Sequence, residues 1–450
     1  MFDTFVVPPG QDHVNLLIVV QIISLLMFLP FSGMMLGGSV FSVYFNRKGK
    51  KTGNQVYKKF YFRLAKDIAD KLTVSKSAGY ALGILPLASA VFIYAQILYG
   101  AKVISVSLLF LSLILYIAGF ILIYNYKHTF RIEGILGSLK NAIGGQDKLS
   151  PELREYEESL TASNSRYGSY GILTLFVASF LFVAGTTIAS DPASWAAADN
   201  ILKLFISGKI WINYFYFLSA SFAVTGGAML YLFFEWEGGI ANADAEYKSI
   251  IKSVAIPSAF IGSLLQPLFL FLGVLLLAEG SLSSSVFVYA GLTLFTVFLV
   301  CNFLYYVYKN SEFRFSGIIF FLMFLAFAFT IVKDEMTFRN AVKEHLLVVN
   351  AKADELAKEQ IGSIVQVNAA DGEKIYNEKC IACHKFDQKV VGPPYQETVP
   401  KYNGDLKKLA GFIYNPQKIN PAYPPMPNQG LKMKDASAVA KYIMDKVGKK

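Results

Sequence analysis

Charge is what this chain has least of. Of its 450 residues only 16% are Asp, Glu, Lys or Arg, while 54% are hydrophobic. That balance excludes an ordinary soluble enzyme and points to several membrane crossings. Histidine is nearly absent, with four residues, and cysteine scarcer still, with three. So few cysteines exclude a disulfide-stapled domain. The net charge of +10 is modest for the length and lies largely between apolar runs, which a membrane protein explains without nucleic acid. Residues 1–12 lack a basic cluster and contain Pro8-Pro9. A cleaved signal peptide is therefore not expected, and the first span should act as an uncleaved anchor.

The cysteine that is present is concentrated. Cys380-Ile381-Ala382-Cys383-His384 is a C-x-x-C-H run, the attachment signature of a c-type haem. Two thiols at this spacing can both bond the vinyl groups of one porphyrin. The adjacent histidine then lies under the iron and supplies an axial nitrogen. A zinc site needs four ligands, and the soluble part adds only a distant His345 to these three, because Cys301 sits in an apolar run. Covalent haem is the expectation. That chemistry takes place outside the cytoplasm, so the rest of the chain must deliver this segment across a membrane.

Eight apolar runs are long enough to cross a bilayer: 14–45, 78–99, 103–126, 170–189, 212–234, 254–278, 286–308 and 315–332. The first is long for one crossing and should tilt or kink at Pro30. Loop charge sets the orientation. Ten Lys or Arg fall between Arg47 and Lys76 and six between Lys127 and Arg166, while the alternate loops hold only Lys102, Lys203 and Lys209. Both termini are therefore expected outside. A stretch of the first run, 27–32, can be laid on 216–221 of the fifth, which brings Gly37-Gly38 onto Gly226-Gly227 and Phe45 onto Phe234. This suggests a parallel repeat of two four-helix units. The paired glycines suit close helix packing, or a bound lipid or quinone tail.

The spans show no Asp, Glu, Lys or His at mid-depth; Glu235, Glu279, Lys333 and Asp334 fall at span ends. Such residues normally mark haem b ligands or proton routes, so the membrane part is expected to carry no redox centre of its own. His13, at the outer mouth of the first run, is solvated at the interface, ligates a peripheral haem or lines an outer quinone pocket. Met34, Met35 and Met229 read as packing. After the last run, an apolar stripe through Ala341, Val342, Leu346, Val349, Ala353 and Leu356 reads as a helical linker. It either continues the eighth span or forms a bent tether.

From about Asn368 the sequence turns to lysine, proline and tyrosine. The motif is followed by Gly392-Pro393, then by Met426-Pro427, then by an amphipathic helix over 435–447. In this order the stretch 368–450 resembles a small class I cytochrome c. The resemblance implies thioether bonds at Cys380 and Cys383, axial ligands at His384 and Met426, and Gly392 and Pro393 packed on the haem. A thioether sulfur suits haem iron and raises its potential. Met433 is the competing ligand but lacks flanking prolines. With both axial sites filled, electron transfer is the expected role, not oxygen binding. This stretch carries fourteen Lys, no Arg and eight Asp plus Glu, a net of +6. Lys385, Lys389, Lys407, Lys408, Lys432 and Lys434 could surround a haem edge and steer an acidic redox protein, or simply keep the domain soluble.

The expected fold is all-α: an eight-helix membrane bundle over 1–332, a helical linker over 333–367, and a small all-α cytochrome c domain over 368–450. The membrane part resembles cytochrome bd-type oxidase subunits in topology and repeat, and departs from them in lacking histidines inside its spans. The expected function is a membrane-anchored monohaem cytochrome c, an electron-transfer subunit of a respiratory complex and not catalytic alone. The alternatives are a quinol dehydrogenase with an outer-leaflet site feeding its own haem, and a non-enzymatic redox sensor or scaffold. Expected partners are integral membrane subunits and an acidic redox protein, in a bacterial-type inner membrane with the haem domain on the periplasmic side. One haem c is expected, with a quinone as a further candidate.

Overall fold

A computed structural model describes residues 8–73, 75–143, 150–195, 205–240, 243–365, 369–421 and 423–448. Asn368, Lys148 and Lys203, which figure in the expectations above, lie outside the described residues. The protein is all-α, with two compact units, Met1–Asn350 and Ala351–Lys450.

The first unit holds eight helices long and apolar enough to cross a membrane: Gln11–Lys51, Gly79–Ile97, Ser105–Lys140, Pro151–Ala189, Gly208–Phe234, Ala245–Leu275, Ser284–Asn310 and Ser316–Ala341. These are numbered here as spans one to eight. Span one is the hub, packed against spans two, four, five and eight. It runs unbroken through Pro30 and buries Phe28, Met35, Leu36 and Phe45 completely or nearly so. Spans six and seven lie at the edge and present Leu268, Phe271, Phe295 and Phe298 outward, as helices facing lipid do.

Small residues allow the closest approaches. A Cβ on Gly226 of span five would fall on the backbone of Ala255 and Ala259 in span six. A Cβ on Gly262 of span six would meet the Ser219 carbonyl and the Ala223 backbone of span five. This mutual fit knits the pair by direct backbone packing. Gly37 of span one takes the Thr225 side chain where a Cβ would otherwise stand. Some buried polar groups pair with one another or with backbone: Ser42 donates to the Ala65 carbonyl at 2.6 Å and Asn46 to Asn164 at 2.6 Å.

Three features differ from the sequence expectation. The stretch between the third and fourth apolar runs is largely helix, because the helices Ser105–Ile143 and Pro151–Ala189 extend well beyond them. Ser150 caps the second of these, accepting from Leu153 N–H, and Lys140 pairs with Glu157 between them. The stretch after span one likewise holds a helix, Gln55–Leu72, capped by Asn54. It seats Leu64, Ala65 and Ile68 in the core and turns its lysines outward.

The third difference concerns span eight. Its helix passes through Lys333, Asp334 and Glu335 and ends at Ala341. Glu335 is 2% exposed and Lys333 9%. The helix therefore carries these charged residues past the apolar run of span eight, with Lys333 and Glu335 buried. The apolar count stops at the first charge, whereas the helix runs on until the backbone leaves the helical region at Val342, at φ −91° and ψ 6°. A new helix, Lys343–Val365, then begins, with Leu346 and Val349 buried.

The second unit is a small all-α fold. Its core joins Tyr376, Leu409, Ile413, Val439, Tyr442 and Ile443. The helices Ala369–Ile375 and Met433–Gly448 cross at Gly372, where a Cβ would strike the Ala438 carbonyl. Asp405 caps the helix Leu406–Tyr414, accepting from Lys408 N–H at 3.1 Å.

Candidate haem site

The helix Ala369–Ile375 widens into a π-turn over Tyr376–Cys380, and the C-x-x-C-H run follows directly. Ile381 N–H donates to the Tyr376 carbonyl at 3.0 Å, and His384 N–H to the Cys380 carbonyl at 2.9 Å. One turn thus holds both thiols and the imidazole. The chain then loops back, and Gly392 N–H donates to the Cys383 carbonyl at 2.9 Å. This strap brings Gly392 and Pro393 against the histidine.

The histidine is fixed by three contacts. Its Nδ1 lies 3.1 Å from the Pro393 carbonyl oxygen. A carbonyl only accepts, so Nδ1 carries the proton and Nε2 keeps its lone pair free for a metal. Tyr395 stacks on the imidazole at 5.1 Å between ring centroids and 18° between planes. Gly392 lies so close that a Cβ there would overlap the imidazole. Only glycine lets the strap reach the ring.

A cavity of about 420 Å³ opens in front of this histidine. All six residues expected at the site, Cys380, Cys383, His384, Gly392, Pro393 and Met426, line it. Tyr402, Leu409, Phe412 and Ile413 add apolar and aromatic wall. Met433 is not among the lining residues and is 39% exposed. Burial pushes the Cys380 thiol up to about 11, with Cys383 adding to the shift. Burial likewise raises the Tyr395 hydroxyl. Two thiols, one imidazole nitrogen and one thioether around an apolar slot fit a covalent iron porphyrin.

The lysines around the cavity are not those singled out from the sequence. Lys379, Lys401, Lys408 and Lys418 line it, and of the six expected only Lys408 does. Lys389 lies over the Tyr423 ring at 4.8 Å. Tyr395 and Gly372 also escaped sequence reading, since neither belongs to a motif and each acts through a partner distant in sequence. Elsewhere, His13 is exposed on the first turn of span one, while Met35 and Met229 are buried in the apolar core.

A single motif-bearing domain around such a slot defines a class, the small electron-carrying haem proteins. Residues 369–446 match the cytochrome c family. Cytochrome c-551 of Pseudomonas denitrificans is 32% identical over 77 residues, which is 16% of this chain and 94% of that protein. Cytochrome c-551 of Pseudomonas aeruginosa is 32% identical over 80 residues, covering 17% and 77%. Cytochrome c-551 of Bacillus subtilis is 31% identical over 90 residues, covering 20% and 73%. Through this domain the chain belongs to the cytochrome c family. No solved structure matches the chain. The protein is thus a multi-pass membrane chain that carries one cytochrome c domain, and such domains are electron carriers that do no catalysis alone.

Proposed function

We propose that the protein is the haem-bearing electron-transfer subunit of a respiratory complex, with haem c joined covalently to Cys380 and Cys383. His384 and Met426 would be the axial ligands, and Gly392 and Pro393 would hold the imidazole. The observation that carries this reading is one cavity lined by both thiols, the imidazole and the thioether. Bound there, haem c would supply a one-electron couple. The protein's own residues do the rest. The Pro393 carbonyl fixes the imidazole tautomer and makes the nitrogen a better donor. Leu409 and Ile413 exclude water on one side. Lys379, Lys401, Lys408 and Lys418 give the rim a positive field that favours an acidic partner.

The remaining elements of the reading follow. The haem domain runs from about residue 368 to the C-terminus, after a membrane part over 1–332 and a linker over 333–367. The excess of Lys and Arg after spans one and three supports a periplasmic haem domain in a bacterial-type inner membrane. One helix would suffice as an anchor, so eight spans support docking to other integral subunits. The membrane part would be two four-helix units in parallel repeat. The lay of Gly37-Gly38 on Gly226-Gly227 supports this.

The test is pyridine haemochrome analysis of the purified chain beside a Cys380→Ser, Cys383→Ser variant. One covalent haem c in the parent and none in the variant is the expected result. Turnover of the intact complex that survives loss of the haem would contradict the electron-carrier role.

A further inference from the structure

Residues from six of the eight spans surround a second cavity, of about 130 Å³, inside the first unit. Its lining is graded. Thr187, Lys209, Asn213 and Lys333 lie nearer the ends of their helices. Leu29, Phe182, Phe217 and Phe327 lie deeper. The lysines bring little free charge, because Lys209 pairs with Asp191 at 3.1 Å and Lys333 with Asp334 at 2.6 Å. Hydroxyl and amide groups complete the polar part: Asn213 donates to Thr187 at 3.0 Å, and the Tyr216 and Thr330 hydroxyls are 2.7 Å apart.

A second, independent feature lies behind this wall. Glu335 is 2% exposed, and neither of its carboxyl oxygens has a hydrogen-bond partner. Tyr94 lines the cavity and packs at 5.0 Å between ring centroids on Phe338, three residues beyond Glu335 on the helix of span eight. Gln21 of span one is also fully buried on this side of the bundle. Unpaired polar groups at membrane depth are costly and mark a substrate or proton path.

We propose that this cavity is the headgroup site of a lipid-soluble quinone, with Thr187, Asn213 and Tyr94 as its polar wall and Glu335 behind Tyr94. Three observations choose the occupant. The volume matches one six-membered ring, since an engineered cavity of about 150 Å³ takes benzene. Neutralised lysines favour an uncharged ring with hydrogen-bonding oxygens over a phosphate. The deeper apolar side suits an isoprenoid tail. His13, the sequence candidate for such a site, does not line the cavity.

The test uses the purified full chain in detergent and a short-tail azido-quinone as photoprobe, with labelled peptides mapped by mass spectrometry. Saturable labelling is expected within 182–190, 209–217 and 327–337, displaced by decylubiquinone and not by phosphatidylglycerol. The double variant Asn213→Leu, Thr187→Val should weaken binding about tenfold, since its polar contacts are lost. The isosteric Glu335→Gln covers the case in which that variant fails to fold, and should weaken binding several-fold at unchanged melting temperature. Unsaturable labelling spread over the outward faces, displacement by phosphatidylglycerol, or full affinity in both variants would overturn the proposal. The site does not depend on the haem reading: a chain found to lack haem yet binding the probe would sink that reading and leave this one standing.

Discussion

The two units conceal their chemistry to different degrees. In the second, the thiols and the imidazole are contiguous in sequence, and one turn of backbone assembles them. In the first, the polar residues that meet at the inner cavity come from four separate helices, and no two neighbours form a motif. Covalent attachment demands close spacing of a few residue types. Membrane packing demands only that each helix bring one small or polar residue to the right depth. The first kind of site is legible as a string, and the second only as an assembly.

The largest effects should fall on the legible site. Replacing both Cys380 and Cys383 by serine should abolish covalent haem and leave the second unit unfolded, while the spans stay assembled. Haem staining and hydrogen exchange over the two units would check this. Gly392→Val should come next, because the new side chain must enter the space of the His384 ring. Overpacking of this kind costs about 1–3 kcal/mol, read as a lower melting temperature of the haem domain. A variant that melted like the parent would show that the strap is looser than described.

Met426 and Met433 offer a sharper contrast. Met426 lines the cavity and Met433 does not. Met426→His should lower the haem potential and remove the optical signature of sulfur ligation, since methionine ligation raises the potential. Met433→Leu should leave both unchanged. The reverse pattern would exchange the two assignments.

These contrasts show what could be read from residues alone. The motif, its glycine-proline strap and the late methionine stand in a fixed order, so the six residues that line the cavity can be named from the sequence. Tyr395 did not, because stacking on an imidazole leaves no mark on spacing. The eight crossings were legible from hydropathy, but their ends were not. Helices Ser105–Ile143 and Pro151–Ala189 continue past the apolar runs as a polar pair, which tertiary contacts stabilise and hydropathy cannot see. Glu335 was missed for the same reason, as an apolar count closes span eight three residues before it.

In the first unit, Gly262→Leu should destabilise the span five and six pair by about 1–3 kcal/mol, because a side chain there meets the span five backbone. A thermal shift confined to the membrane unit would be the readout, with the haem spectrum unchanged.

The smallest expected effect is at His345. Its imidazole packs edge-on against Trp195 at 5.2 Å. Burial holds it below its ordinary value of 6.5, with the backbone at Ile97 and Tyr99 opposing. The unfolded chain therefore takes up the proton more readily than the folded one. Its contribution to stability is full above about pH 6.5 and declines as pH falls below it. His345→Gln should flatten the melting temperature of the membrane unit between about pH 7 and pH 5. An unaltered pH profile would remove His345 from the account.

The most direct test of the central claim is a reduced-minus-oxidised spectrum with haem quantitation on the purified chain, stripped of partner subunits. One covalent haem c per chain and no haem b is the predicted result. No covalent haem, or haem b retained by this chain alone, would contradict it.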